Sequence, residues 1–199
     1  KFPSSKITKI NNIVVNLIGD HNITNATASI AIALNLGVKV SKIKKALKKF
    51  LGIQRRFTKV FSVGKREFYD DYAHHPTEIK EVLNGVKEVY KNKEIVCIFQ
   101  PHRISRLKNL KREFSKAFAK ADVVVLCPIY KAGENINLGF KYSNFAKELI
   151  RNSKIKVILI NNRLDLAKFT RQNIYGDKIV IGMGAGSISN WIRELPTLL

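Results

Sequence analysis

From Phe57 onward, short runs of Val, Ile and Leu take turns with amphipathic stretches, and no other feature restricts the possible folds as much. The runs are "EIVCIFQ" (94–100), "DVVVLCP" (122–128), "KVILIN" (156–161) and "DKIVIGMG" (177–184). A strand with one wet face alternates apolar and polar residues, whereas a strand covered on both faces reads as an unbroken apolar run. Between the runs lie "RLKNLKREFSKAFAKA" (106–121), "SNFAKELIRN" (143–152) and "RLDLAKFTRQNI" (163–174), all with helical spacing, and "SISNWIREL" follows the last run. Another helix is expected from Pro76 to Tyr90. Upstream of it, "FTKVFSV" and "REFYDDY" flank Gly64 like the arms of a hairpin. The pattern predicts an α/β fold: a Rossmann-like, mostly parallel sheet with helices on both faces.

Residues 1–52 read differently. "NIVVNLIGDHN" is expected to form a short strand ending at Gly19. "ITNATASIAIALNLG" is expected to form an alanine-rich helix stopped by Gly37. In "KVSKIKKALKKF", Val40, Ile43, Leu47 and Phe50 mark one helix face, and Lys42, Lys45 and Lys49 mark another. One strand and two helices are too little to bury a core. We therefore divide the chain into 1–52, the end of one domain, and 53–199, a complete one. Lys1 opens the chain and its single methionine is Met183, which predicts a piece of a longer protein.

Composition decides two further points. The net charge of +21 could suggest a nucleic-acid partner. However, the lysines are spread along amphipathic helices and no nucleic-acid-binding signature occurs, so neither a nucleic-acid nor a membrane partner is expected. No apolar run approaches the roughly 20 residues of a membrane helix. Cys97 and Cys127 each sit inside a strand-like run, as buried thiols of a cytoplasmic protein would.

Open α/β sheets bind ligands beyond the carboxyl ends of their strands. Four polar or glycine-rich segments fall there: "DDYAHHP", "QPHRISR", "IYKAGEN" and "GAGS". They predict one crevice holding His74, His75, His102, Arg103, Arg106 and an aspartate. Asp70 and Asp71 are neighbours on a strand and point to opposite faces, so they are not a paired acid/base unit. Asp71 with His74 could bind a metal, but no HExxH or CxxC spacing supports a zinc site. His75, just before Pro76, is expected to pack or cap a helix. Arg103 and Arg106, at a strand-to-helix turn, suit a carboxylate or phosphate. "GAGS" is expected to be a structural turn. His21 and Asn25 share a helix face, and an asparagine amide can match an adenine edge.

Taken in order, "GDHNITNATASIAIAL", "GIQRRF", "YDDYAHHPTEI", "FQPHRISRL", "IYKAGE" and "MGAGSI" resemble the Mur ligases of peptidoglycan synthesis, over roughly Gly19 to Trp191. "DDYAHHPTE" and "FQPHR" point to the member of the family that joins L-alanine to UDP-N-acetylmuramate. The resemblance implies an ATP-dependent carbon–nitrogen ligase, with residues 1–52 ending a P-loop ATPase domain and 53–199 forming the C-terminal Rossmann-like domain. It implies ATP and Mg2+ as cofactors, with the P-loop and the magnesium ligands upstream of these residues. His21 and Asn25 resemble the adenine-binding pair. Arg56 resembles an arginine on the ATP phosphates, and Asp71 the ribose-binding aspartate. Tyr72, His74, Arg103 and Arg106 resemble the residues that hold the muramyl carboxylate and alanine, with His74, Arg103 and Arg106 closest to the chemistry. Ile104 stands where relatives usually carry an aromatic. Two alternatives remain: a Mur-type ligase for recycled cell-wall peptide, and a stand-alone basic module binding nucleotides or RNA.

Overall fold

The computed structural model describes residues 9–135 and 142–199, and its described residues form two compact units that divide between Ile53 and Gln54. The tail of the expected "IYKAGENINLG" loop, 136–139, lies outside the described residues.

The first unit contains α1 (Asp20–Asn35) and α2 (Val40–Lys49). Gly37 ends α1 at φ +76°, donating to the Leu34 carbonyl while Val38 donates to Ala33. This pair of bonds is the Schellman closure that glycine favours. Ile43 is buried on α2 and Lys42, Lys45 and Lys49 are exposed, as the helix pattern requires. The strand expected to end at Gly19 is absent, and residues 11–19 are irregular. A strand exists only against a partner's N–H and C=O groups, and the described part of this unit supplies none.

The second unit is a six-stranded sheet in the order β1-β2-β6-β3-β4-β5. The strands are β1 (Thr58–Val63), β2 (Arg66–Asp71), β3 (Glu94–Phe99), β4 (Val123–Leu126), β5 (Lys156–Leu159) and β6 (Lys178–Met183). β1 and β2 pair antiparallel through Gly64 (φ +58°), and every other pair is parallel. The helices are α3 (Pro76–Val89), α4 (Ile104–Asn109), α5 (Lys111–Ala117), α6 (Tyr142–Ser153), α7 (Arg163–Asn173) and α8 (Ile188–Leu198). The single helix expected over 106–121 is broken at Leu110 (φ −111°, ψ 25°) into α4 and α5. The break lets Leu107 and Phe114 both sit in the core, each 1% exposed.

The unbroken apolar runs serve both faces. Ile95, Cys97, Phe99, Val124, Leu126, Ile179 and Ile181 pack with α3, α5 and α6. Val96, Ile98, Val125, Cys127 and Val180 pack with α7 and α8. β6 returns from the far edge to lie between β2 and β3, so the carboxyl ends of β2, β6, β3 and β4 stand side by side. No described helix is long and apolar enough to cross a membrane.

Candidate active site

The four polar segments converge beyond those strand ends and are stitched together by backbone. Gly184 N–H donates to the Asp71 carbonyl, Gln100 N–H to Met183, and Arg103 N–H and the Tyr130 carbonyl pair at 2.8 Å. The "GAGS" turn forms the floor. A Cβ on Gly184 would lie 2.6 Å from the Gln100 carbonyl, and one on Gly186 would lie 2.6 Å from both the Gln100 amide oxygen and the Tyr130 ring. Gln100, almost fully buried, accepts from Ile188 N–H at 3.0 Å and donates to Ser187 at 3.1 Å, fixing the start of α8.

The two aspartates divide as adjacent strand residues must. Asp70 faces α8, where its carboxylate accepts from Ser189 (2.5 Å) and Arg193 (3.3 Å). Asp71 faces the other way and accepts from the backbone N–H groups of Phe57 and Ala73, both at 2.7 Å. At 2% exposure, burial pushes Asp71 up to about 6, against the pull of those two N–H groups and of Arg56. The folded protein therefore binds a proton here that the unfolded chain, near its ordinary 3.9, has already released. Stability from this group is full below pH 4, falls as the pH rises to about 6, and is constant above that. The loss is about 3 kcal/mol. In urea titrations from pH 4 to 7, Asp71→Asn should remove this downward slope relative to the parent chain. An unchanged slope would mean that Asp71 carries its charge as freely folded as unfolded.

Above the floor sits a ring cluster with cationic edges. Tyr72 meets His74 edge-on at 5.1 Å, His74 meets His102 at 5.8 Å, and His102 stacks on Tyr130 at 5.6 Å between ring centroids. His74 Nδ1–H donates to the Tyr72 carbonyl at 3.0 Å, and the same nitrogen lies 3.3 Å from the Glu78 carboxylate. Burial, then the Arg106 guanidinium, push His102 below its ordinary value, and Arg106 donates to its Nδ1 at 3.1 Å. Arg55 packs over the Tyr72 ring at 4.6 Å and donates to the Gly184 carbonyl at 2.7 Å, while Arg56 lies 6.0 Å from the same ring and is exposed. The Arg103 side chain is exposed and holds no hydrogen bond or ion pair among the described residues. Arg55, Phe57, Arg103 and Ala132 all have φ between +49° and +69°. Such strained positions cluster where function fixes the backbone.

The carboxylates at this edge are all engaged. Besides the aspartates, Glu78 accepts from His74 and His75 N–H, and these hold it below its ordinary value despite partial burial. His75 accepts from Thr77 N–H, completing the capping box of α3, so it faces the helix and not the crevice. Glu134 accepts from Ile104 N–H (2.8 Å), Ser105 N–H (3.1 Å) and the Ser105 hydroxyl. The α4 N-terminus, expected to be open to an anion, is thus already occupied by the protein's own carboxylate. Arg56, Arg103 and Arg106 supply uncompensated positive charge, so the edge is built to receive an anion of carboxylate or phosphate type. Sequence reasoning missed Arg55, Gln100, Tyr130 and Glu134. The only signal available was their place inside "QRRF", "FQPHR" and "IYKAGE".

His21 and Asn25 belong to the first unit, on one face of α1. Asn25 is exposed, and His21 Nδ1 is shielded without a hydrogen-bond partner. Among the described residues no group of three or more His, Cys, Asp or Glu could hold a metal.

The chain is similar to known proteins. Residues 55–186 match the family described as Mur ligase, glutamate ligase domain. The UDP-N-acetylmuramate–L-alanine ligase of Pelagibacter ubique is 59% identical over 198 residues, covering 100% of this chain and 43% of that protein. The ligase of the same name from Bartonella quintana is 41% identical over 197 residues, covering 97% and 40%. The crystal structure of UDP-N-acetylmuramate–alanine ligase from Thermotoga maritima superposes with a TM-score of 0.75 at 30% identity, covering 93% of this chain and 39% of that one. The chain thus spans about two fifths of the length of these relatives. With the family match covering well over half of its residues, the chain belongs to the Mur ligase family.

Proposed function

We propose that this chain is the C-terminal part of an ATP-dependent ligase that joins L-alanine to UDP-N-acetylmuramate in cytoplasmic peptidoglycan synthesis. The observation that carries this reading is the 59% identity, along the whole chain, to a relative of that name. The crevice chemistry agrees with it, because free guanidiniums beside His74 and Tyr72 suit carboxylates and phosphates.

In this reading the lactyl carboxylate of UDP-N-acetylmuramate attacks the γ-phosphorus of ATP and ADP departs. The alanine amine, having lost a proton, then attacks the acyl-phosphate carbonyl and phosphate leaves. Arg103 and Arg106 hold and neutralise the carboxylates. His74 and Tyr72 line the alanine end. This reading assigns Arg56 to the ATP phosphates, His21 and Asn25 to the adenine, and Asp71 to the ribose, each on its resemblance alone. Phosphoryl transfer needs positioning and charge neutralisation above all, which guanidiniums supply. A magnesium ion would neutralise the phosphate charge in such a reaction, and among the described residues no group of three or more His, Cys, Asp or Glu could hold one. The first test is substrate dependence. ADP release by the complete ligase should require both UDP-N-acetylmuramate and free L-alanine. Release that requires a cell-wall tripeptide in place of alanine would transfer the reading to the recycling ligase.

A further inference from the structure

On the face opposite α8, away from the strand ends, a groove of about 450 Å³ lies between α5 and α6. Its walls carry Lys111, Arg112, Lys116 and Arg151, with Glu148 as the one acid. Glu148 is already paired with Lys111 at 2.6 Å. Arg112, Lys116 and Arg151 are exposed and hold no side-chain hydrogen bond or ion pair among the described residues. Like charges gathered round a concavity repel one another, and an anion relieves that repulsion.

The floor is polar and fixed. Ser115, fully buried, donates to the Arg112 carbonyl at 2.7 Å and accepts from Asn152 at 2.8 Å. Ser153 donates to the Ser115 carbonyl at 2.7 Å. These bonds tie the two helices together just where their cationic side chains diverge. No aromatic or aliphatic side chain lines the groove. Its apolar surface is that of the lysine and arginine stems, too narrow to seat an acyl chain.

We propose that the α5–α6 groove is a second anion site that takes a diphosphate group, whether inorganic or borne by a small metabolite. Three uncompensated cations round a polar floor match two to three negative charges on a compact group. The site is independent of the strand-end crevice.

The test uses the full chain at constant ionic strength, with inorganic pyrophosphate as probe and backbone amide shifts as readout. Saturable shifts are expected at residues 111–116 and 148–152. Arg112→Gln with Arg151→Gln should weaken binding at least tenfold, and Lys116→Gln alone should weaken it less. Lys42→Gln with Lys45→Gln, on α2, should leave it unchanged. ADP should bind at these amides no tighter than pyrophosphate if the diphosphate alone is recognised, and a tighter ADP would contradict that assignment. Non-saturating shifts, equal losses in the α2 variant, or full binding by the arginine double variant would each show diffuse screening of a +21 chain and overturn the site. The substituted side chains are exposed and unpaired, so the variants should fold as the parent does, with matching thermal melts.

Discussion

Replacing Arg103 and Arg106 together with methionine should lower kcat/KM of the complete ligase by roughly a thousandfold while leaving the thermal midpoint almost unmoved. The two arginines differ in how they are held. Arg106 is fixed by bonds to the ring and carbonyl of His102, whereas Arg103 is exposed and unpartnered. Neither is buried, so folding does not depend on them. Their backbone does matter: Arg103 sits at φ +69°, pinned by Tyr130 and by the Glu134 bonds to the next two residues. A loop from β4 thus sets the direction in which the β3 arginines point. If the arginines hold carboxylates, the loss appears in the KM for alanine and for the sugar nucleotide as well as in kcat. A double variant with parental kinetics would remove both residues from the chemistry.

Gly182→Ala should cost about 3 kcal/mol, one of the larger single-methyl effects available in this fold. Gly182 pairs with Asp70 on β2 and Ile98 on β3 at the sheet centre. A Cβ there would lie 2.3 Å from Ile192 Cγ1 and 2.9 Å from Cδ1 on α8. Either the Ile192 side chain leaves its rotamer in a packed core or α8 moves off the sheet. Ile192→Ala alone leaves a cavity and should also cost about 3 kcal/mol. The two together should cost clearly less than their sum, because the alanine methyl fills part of the space vacated by isoleucine. Urea denaturation of the four proteins measures this. Strict additivity would mean that the clash is relieved elsewhere.

What the sequence reveals follows from the range of the interaction concerned. Strands β3, β4 and β6 are legible because both-face burial leaves an unbroken apolar run in each, and β1 and β2 because they flank Gly64 as a hairpin does. The convergence of "DDYAHHP", "QPHRISR", "IYKAGEN" and "GAGS" is legible because parallel order puts all carboxyl ends on one edge. His75 as a helix cap is legible because Pro76 and Glu78 sit beside it. The strand expected to end at Gly19 fails because pairing is not a local property. The break at Leu110 fails because helical periodicity runs straight through it, and only the core decides where the axis turns. Glu134 reaches back 30 residues to Ile104, and Gly182 owes its identity to a side chain ten residues later. Neither relation leaves a mark in the local pattern. The same is true of Arg55, which binds Gly184 across the sheet edge, whereas its neighbour Arg56 stays free.

The most direct measurement follows oxygen. UDP-N-acetylmuramate labelled with oxygen-18 in its lactyl carboxylate is turned over with ATP and L-alanine by the complete ligase, and the released phosphate is weighed by mass spectrometry. An acyl-phosphate route transfers one labelled oxygen from that carboxylate to each phosphate formed. Phosphate free of label, with alanine nonetheless joined, would contradict attack by this carboxylate on ATP and with it the roles given to Arg103 and Arg106.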